Sequence, residues 1–152
     1  MREAAAMRSK AILIACQDDL GTRSLTTFFH SMGYRVEVVS LVSQMIRRVL
    51  NGTIHVLLLE DEVEGLKAWE LVPLLKWINR RIQVIVISSE ESLGAVRRLR
   101  GAGIFYHAMK PADLGELKSA VESALEKIKR ESFREGLFSL FLPSRGLTLY
   151  KN

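Results

Sequence analysis

Five short apolar runs rich in β-branched residues recur along the chain, at residues 11–16, 35–39, 55–60, 83–88 and 104–109. Three of them have unbroken apolar centres: Ile12-Leu13-Ile14, Val56-Leu57-Leu58-Leu59 and Val84-Ile85-Val86-Ile87. A strand with one wet face alternates apolar and polar residues. A run without alternation predicts a strand covered on both faces, as in a parallel sheet. The segments between the runs carry a helical period instead. Leu25, Phe28, Phe29 and Met32 share one helix face, and Gly33 ends it. Leu41, Met45, Ile46, Val49 and Leu50 form a second stripe, with Ser40 as the expected N-cap and Asn51-Gly52 as the stop. Leu66, Trp69 and Val72 begin a third. Pro73 is expected to interrupt or kink it before Leu74, because proline lacks an amide donor and crowds the preceding turn. Leu93, Val96, Leu99 and Ala102 make a fourth; the fifth opens near Asp113 and carries Leu114, Leu117, Val121, Leu125 and Ile128. Stripes at these spacings predict core, Trp69 and Trp77 included.

Strict alternation of strand and helix predicts a parallel sheet with right-handed crossovers. Five such units suit a flavodoxin-like, doubly wound α/β fold: a five-stranded parallel sheet in the order 2-1-3-4-5 with helices on both faces. The expected organisation is a flexible lead-in over 1–10, the domain over 11–131 and an apolar C-terminal extension over 132–152. In this strand order, ligand chemistry belongs at the carboxyl ends of the first and third strands. The residues to inspect are therefore 16–19, 60–62, 88–89 and 109–111.

Composition narrows the setting. With 48% apolar and 26% charged residues, the chain reads as an ordinary soluble globule that needs no staples. Its one cysteine, Cys16, excludes an intramolecular disulfide and fits a reducing compartment. There is no secretory leader pattern at the start and no apolar run of spanning length, so a cytoplasmic location is expected. The net charge of +5 is spread over short clusters such as Arg47-Arg48, Arg80-Arg81 and Arg97-Arg98, most of them beside acids on helices. Solvated helix faces look like this, and neither nucleic acid nor membrane is expected as a partner.

The segment Tyr106-His107-Ala108-Met109-Lys110-Pro111 resembles the strand-5 ending of the receiver domain of two-component response regulators. Val84-Ile85-Val86-Ile87-Ser88-Ser89 is similar to that family's strand-4 hydroxyl motif, Gly33-Tyr34 to its entry into strand 2, and Gly101-Ala102-Gly103 to its turn before strand 5. The resemblance covers about residues 10–130. It implies two acids after strand 1 that hold Mg²⁺, an aspartate ending strand 3 that accepts the phosphoryl group, and a hydroxyl and a lysine that contact the phosphoryl oxygens. The chemistry fits that set: a hard cation wants carboxylate oxygens, an acyl phosphate a carboxylate nucleophile, and the transferred charge a lysine. The chain departs from it in three places. Cys16 and Gln17 stand at the acid pair, with Asp18 and Asp19 one or two residues later. Glu60 stands at the acceptor position, followed by Asp61. The loop over 60–65 is short and lacks the family's Met-Pro turn. Ser88 and Lys110 are retained, and His107 occupies the switch position that often holds a rotating aromatic.

Glu60 is one methylene longer than aspartate, a displacement of about 1.5 Å, and misplacement by about 1 Å can cost roughly a hundredfold in rate. The expectation is an atypical receiver, not an enzyme, that signals through protein–protein contact without normal aspartyl phosphorylation and needs no cofactor. Two alternatives stay open: a phosphorylation-competent receiver using Asp18 and Asp19 for Mg²⁺ with Glu60 or Asp61 as acceptor, and a flavodoxin-like small-ligand module. Glu60 could imitate a phosphorylated aspartate by reaching Lys110 and Ser88, or simply be an acid balanced by Lys110. Asp61 is expected to face the other way, and Cys16 to be a buried filler. Ser88 could instead cap the next helix, with Glu91 at capping-box spacing. Expected partners are other signalling proteins, or a second copy in a homodimer. They would meet Arg97, Arg98 and Arg100 on the fourth helix, or Phe138 and Phe141 in the extension. That extension either folds back on the domain or docks elsewhere.

Overall fold

The computed structural model describes residues 10–17, 20–89 and 91–141. Strands β1 (Ala11–Ala15), β2 (Arg35–Val39), β3 (Val56–Glu60), β6 (Gln83–Ser88) and β7 (Tyr106–Met109) form one sheet, and β4 (Glu62–Val63) pairs with β5 (Leu66–Lys67) in a small separate hairpin. The large sheet runs β2-β1-β3-β6-β7 with every pairing parallel, the 2-1-3-4-5 order expected from the alternation. Among the described residues there are five helices: α1 (Leu20–Ser31), α2 (Val42–Leu50), α3 (Ala68–Ile78), α4 (Leu93–Ala102) and α5 (Leu114–Phe141).

The unbroken apolar runs are explained by burial on both sides. Ala11, Leu13, Ala15, Leu57, Leu59, Val84 and Val86 pack under α2, α3 and α4. Their neighbours Ile12, Ile14, Leu58, Ile85 and Ile87 pack under α1 and α5. Side chains alternate across a strand, so each residue feeds one of two cores. Each fully buried aliphatic side chain contributes roughly 1.5–3 kcal/mol relative to exposure.

Several local expectations are corrected. Helix α2 takes Leu41, not Ser40, as its N-cap, and Leu41 offers no side-chain cap. Glu64 supplies it from the hairpin turn: its Oε1 accepts from Val42 N–H at 2.6 Å. Helix α3 continues through Pro73, which lies on its exposed face. The proline costs that helix one ladder bond, and burial of Leu71, Val72 and Leu75 beside it outweighs the loss. Trp77 is not core; it is 85% exposed. Trp69 is partly buried against the core, with the Lys67 ammonium 5.9 Å and the Arg98 guanidinium 5.4 Å from its ring centroid. Ser92, not Ser88, caps α4, accepting from Ala95 N–H at 3.2 Å. The fifth helix begins after Asp113 as anticipated but runs on to Phe141, ten residues past the expected domain edge at 131.

Candidate functional site

Three parallel strands deliver the candidate residues to one edge of the sheet. On β3, Val56 and Leu58 point toward α1 and α5, and the period of two carries Glu60 to that side. Val84 and Val86 on β6 point the other way, and Ser88 follows them. Lys110 follows β7, held where its backbone N–H donates to the Ser88 carbonyl at 2.9 Å. The Lys110–Pro111 peptide bond is cis.

Lys110 Nζ donates to Glu60 Oε1 at 3.4 Å, and the Gln17 backbone N–H donates to Glu60 Oε2 at 3.3 Å. Ser88 Oγ donates to Asp61 Oδ2 at 3.3 Å. The hydroxyl and the ammonium are thus retained but serve two different carboxylates on opposite faces of β3. Side-chain exposures of 38% for Lys110 and 19% for Glu60 leave their contact partly solvated. Such a pair contributes no more than about 1 kcal/mol.

Cys16 is buried, with its Sγ 3.0 Å from Thr22 Oγ1. Thr22 Oγ1 donates to the Gln17 carbonyl at 2.8 Å, so its oxygen remains able to accept from the thiol. Beside the Glu60–Lys110 contact opens a cavity of about 630 Å³, walled chiefly by Ile14, Leu25, Leu58, Ile87, Ala112 and Leu114.

Residues 12–122 match the response regulator receiver domain family. This chain belongs to that family. A receiver domain is a signalling module of two-component systems. The chain is 29% identical over 118 residues to the DNA-binding transcriptional regulator NtrC of Azospirillum brasilense, covering 77% of this chain and 24% of that protein. It thus spans about a quarter of that relative's length. It is 27% identical over 120 residues to sporulation initiation phosphotransferase F of Bacillus subtilis strain 168, covering 78% of this chain and 96% of that one. The crystal structure of a CheY-like receiver domain protein from Methanospirillum hungatei JF-1 has the same fold, with a TM-score of 0.74 at 20% identity over 80% of this chain and 98% of that one.

The receiver's remaining candidates are dispersed. Asp18 and Asp19 lie outside the described residues. Among the described residues, no three His, Cys, Asp or Glu side chains converge on a metal position. Both Glu60 oxygens already accept hydrogen bonds, and Asp61 is turned to Ser88. Arg97, Arg98 and Arg100 are exposed on α4, and Arg98 lies 5.4 Å from the Trp69 ring centroid. His107 is half-buried on β7, beside Val86 of β6 in register, and its Nε2 has no partner among the described residues. Phe138 and Phe141 are exposed on the last turns of α5. Among the described residues, no helix is long and apolar enough to cross a membrane.

Sequence reasoning missed the β4–β5 hairpin that follows the site. Its signal was present in Glu64-Gly65, whose φ values of 49° and 79° match the two left-handed positions of a tight hairpin turn. Only two residues on either side pair, too few to show a period of two.

Proposed function

We propose that this receiver is an atypical one that signals by binding other proteins, without normal phosphorylation at the strand-3 acid. The observation that carries this reading is the division of the retained contacts, Lys110 to Glu60 and Ser88 to Asp61. An acceptor carboxylate must present one oxygen to the incoming phosphorus while hydroxyl and ammonium wait for the transferred oxygens. Here the longer Glu60 side chain has reached the ammonium itself, and Gln17 N–H takes its other oxygen. The short hairpin loop over 61–67 replaces the longer loop that the family resemblance implies. Lys110 and Glu60 then act as a partly solvated contact between the ends of β3 and β7, and the chain's surface carries the response.

The test is incubation with acetyl phosphate and Mg²⁺, read by intact mass, with beryllofluoride added in a parallel NMR titration. The expected result is no phosphoryl adduct and no amide shifts around 60, 88 and 110. Stoichiometric, Mg²⁺-dependent labelling of Glu60 or Asp61 would make this a working phosphoacceptor and end the proposal.

A further inference from the structure

Helix α5 changes its environment along its length. Leu117, Val121, Ala124 and Ile128 form its buried stripe, spaced four, three and four. Continuing that rhythm reaches Glu131 and Glu135, so the inward line turns polar where the helix leaves the sheet. Glu135 is held there by Arg80 and Arg81 in the turn after α3, with Arg80 Nη2 at 3.2 Å from Glu135 Oε1. The buried stripe sets the rotation of the helix, and the two arginines meet its outer turns on that same side.

Phe133, Leu137, Leu140 and Phe141 then fall at i, i+4, i+7 and i+8 on one line. At 3.6 residues per turn that line lies about half a turn, roughly 175°, from the buried stripe. They are 66%, 41%, 74% and 79% exposed. A second amphipathic face thus points directly away from the domain, and α1, α3 and the sheet cannot cover it.

We propose that this face pairs with the same face of a second copy, in an antiparallel helix crossing centred on Leu137. The inference is independent of what happens at Glu60. Three features select a second copy. The stripe is self-complementary under a two-fold axis at Leu137, which sets Phe133 of each copy against Phe141 of the other. The antiparallel direction separates the Lys129 and Arg130 pairs of the two copies; a parallel one would stack them in a protein of net charge +5. The four side chains offer on the order of 500 Å² per copy, so about 1,000 Å² in the pair, the lower threshold for a specific interface. Lipid is disfavoured because Glu126 shares this face with Lys129 and Arg130, where a membrane-lying helix carries a more uniformly basic border.

The experiment is sedimentation equilibrium of the full chain from about 1 to about 500 µM, the range in which an interface this small associates. The mass is expected to rise from one chain toward two. Leu137→Glu should hold it at one chain across the range, with its melting temperature as a monomer retained. Arg97→Glu with Arg100→Glu, on α4, should leave the dimer intact. Under oxidation Leu137→Cys should crosslink and Arg130→Cys should not. A chain that stays monomeric throughout overturns the proposal, whether residues 142–152 then cover the stripe or anionic vesicles take it up. So does a dimer that survives Leu137→Glu, and crosslinking through Arg130→Cys overturns the antiparallel arrangement.

Discussion

Glu64 ties the hairpin after β3 to the start of α2, which packs into the same core as Val63, and that tie has a measurable size. Helix α2 has no acidic residue in its first turn and no cap from its own N-cap side chain. The carboxylate of Glu64, 22 residues away, accepts from Val42 N–H at 2.6 Å. Loss of an N-cap costs typically about 1 kcal/mol, and loss of a negative charge at a helix N-terminus costs about 0.3–1 kcal/mol at an exposed site. Glu64→Ala should therefore destabilise the chain by about 1–2 kcal/mol, or roughly 2–8 °C at this size. Glu64→Gln keeps an acceptor oxygen and should lose only the charge contribution. The backbone adds a second, opposite effect. Glu64 holds φ at 49°, where a residue with a Cβ is disfavoured by about 1–2 kcal/mol. Glu64→Gly loses the cap but relieves that strain, so it should be less damaging than Glu64→Ala by about 1 kcal/mol. Urea unfolding followed by circular dichroism, in low and high salt, reads all three variants. If Glu64→Ala matches the native chain, the cap from the hairpin has no energetic role. If Glu64→Gly is no better than Glu64→Ala, the left-handed turn is not under strain.

Two further expectations concern stability. His55 Nδ1 accepts from Ala11 N–H at 3.3 Å, and burial, then Lys10 and Arg35, hold the imidazole below its ordinary value of 6.5. As pH falls through 6.5 the unfolded chain takes up the proton first, so native stability should drop from there down through the folded-state value. His55→Gln should flatten that slope in thermal melts between about pH 7 and pH 5, and an unchanged slope would remove His55 as its source. Phe29 is fully buried, with ring contacts to Phe28 at 5.2 Å and Tyr34 at 6.0 Å, and Phe29→Ala should cost about 3–5 kcal/mol. Trp77→Ala, at a residue 85% exposed, should fall within about 0.5 kcal/mol of the native chain; equal losses from these two substitutions would contradict the burial pattern.

The sheet was legible in the amino-acid order because both of its faces are covered. Burial on two sides demands uninterrupted apolar runs such as Val84-Ile85-Val86-Ile87, and their β-branched residues set them apart from the apolar run Leu71–Leu75 of helix α3. The resemblance brought Glu60, Ser88 and Lys110 to one edge, and the structure places them there. Which acid each retained group would meet was not legible. Glu60 and Asp61 were expected on opposite faces of β3, but that Ser88 follows Val86 to the far one is a matter of register between strands 21 or more residues apart. Periodicity likewise could not place Trp77, because a stripe says which residues share a face and not whether another element arrives to cover it. The same limit holds on α5. Its inward and outward apolar lines look alike in one dimension, and only the sheet's ending at Ile128, with Glu135 held by Arg80 and Arg81, decides that one is core and the other surface. Local chemistry specified the elements; contacts between residues far apart in the chain specified their neighbours, because those energies exist only once the chain has closed on itself.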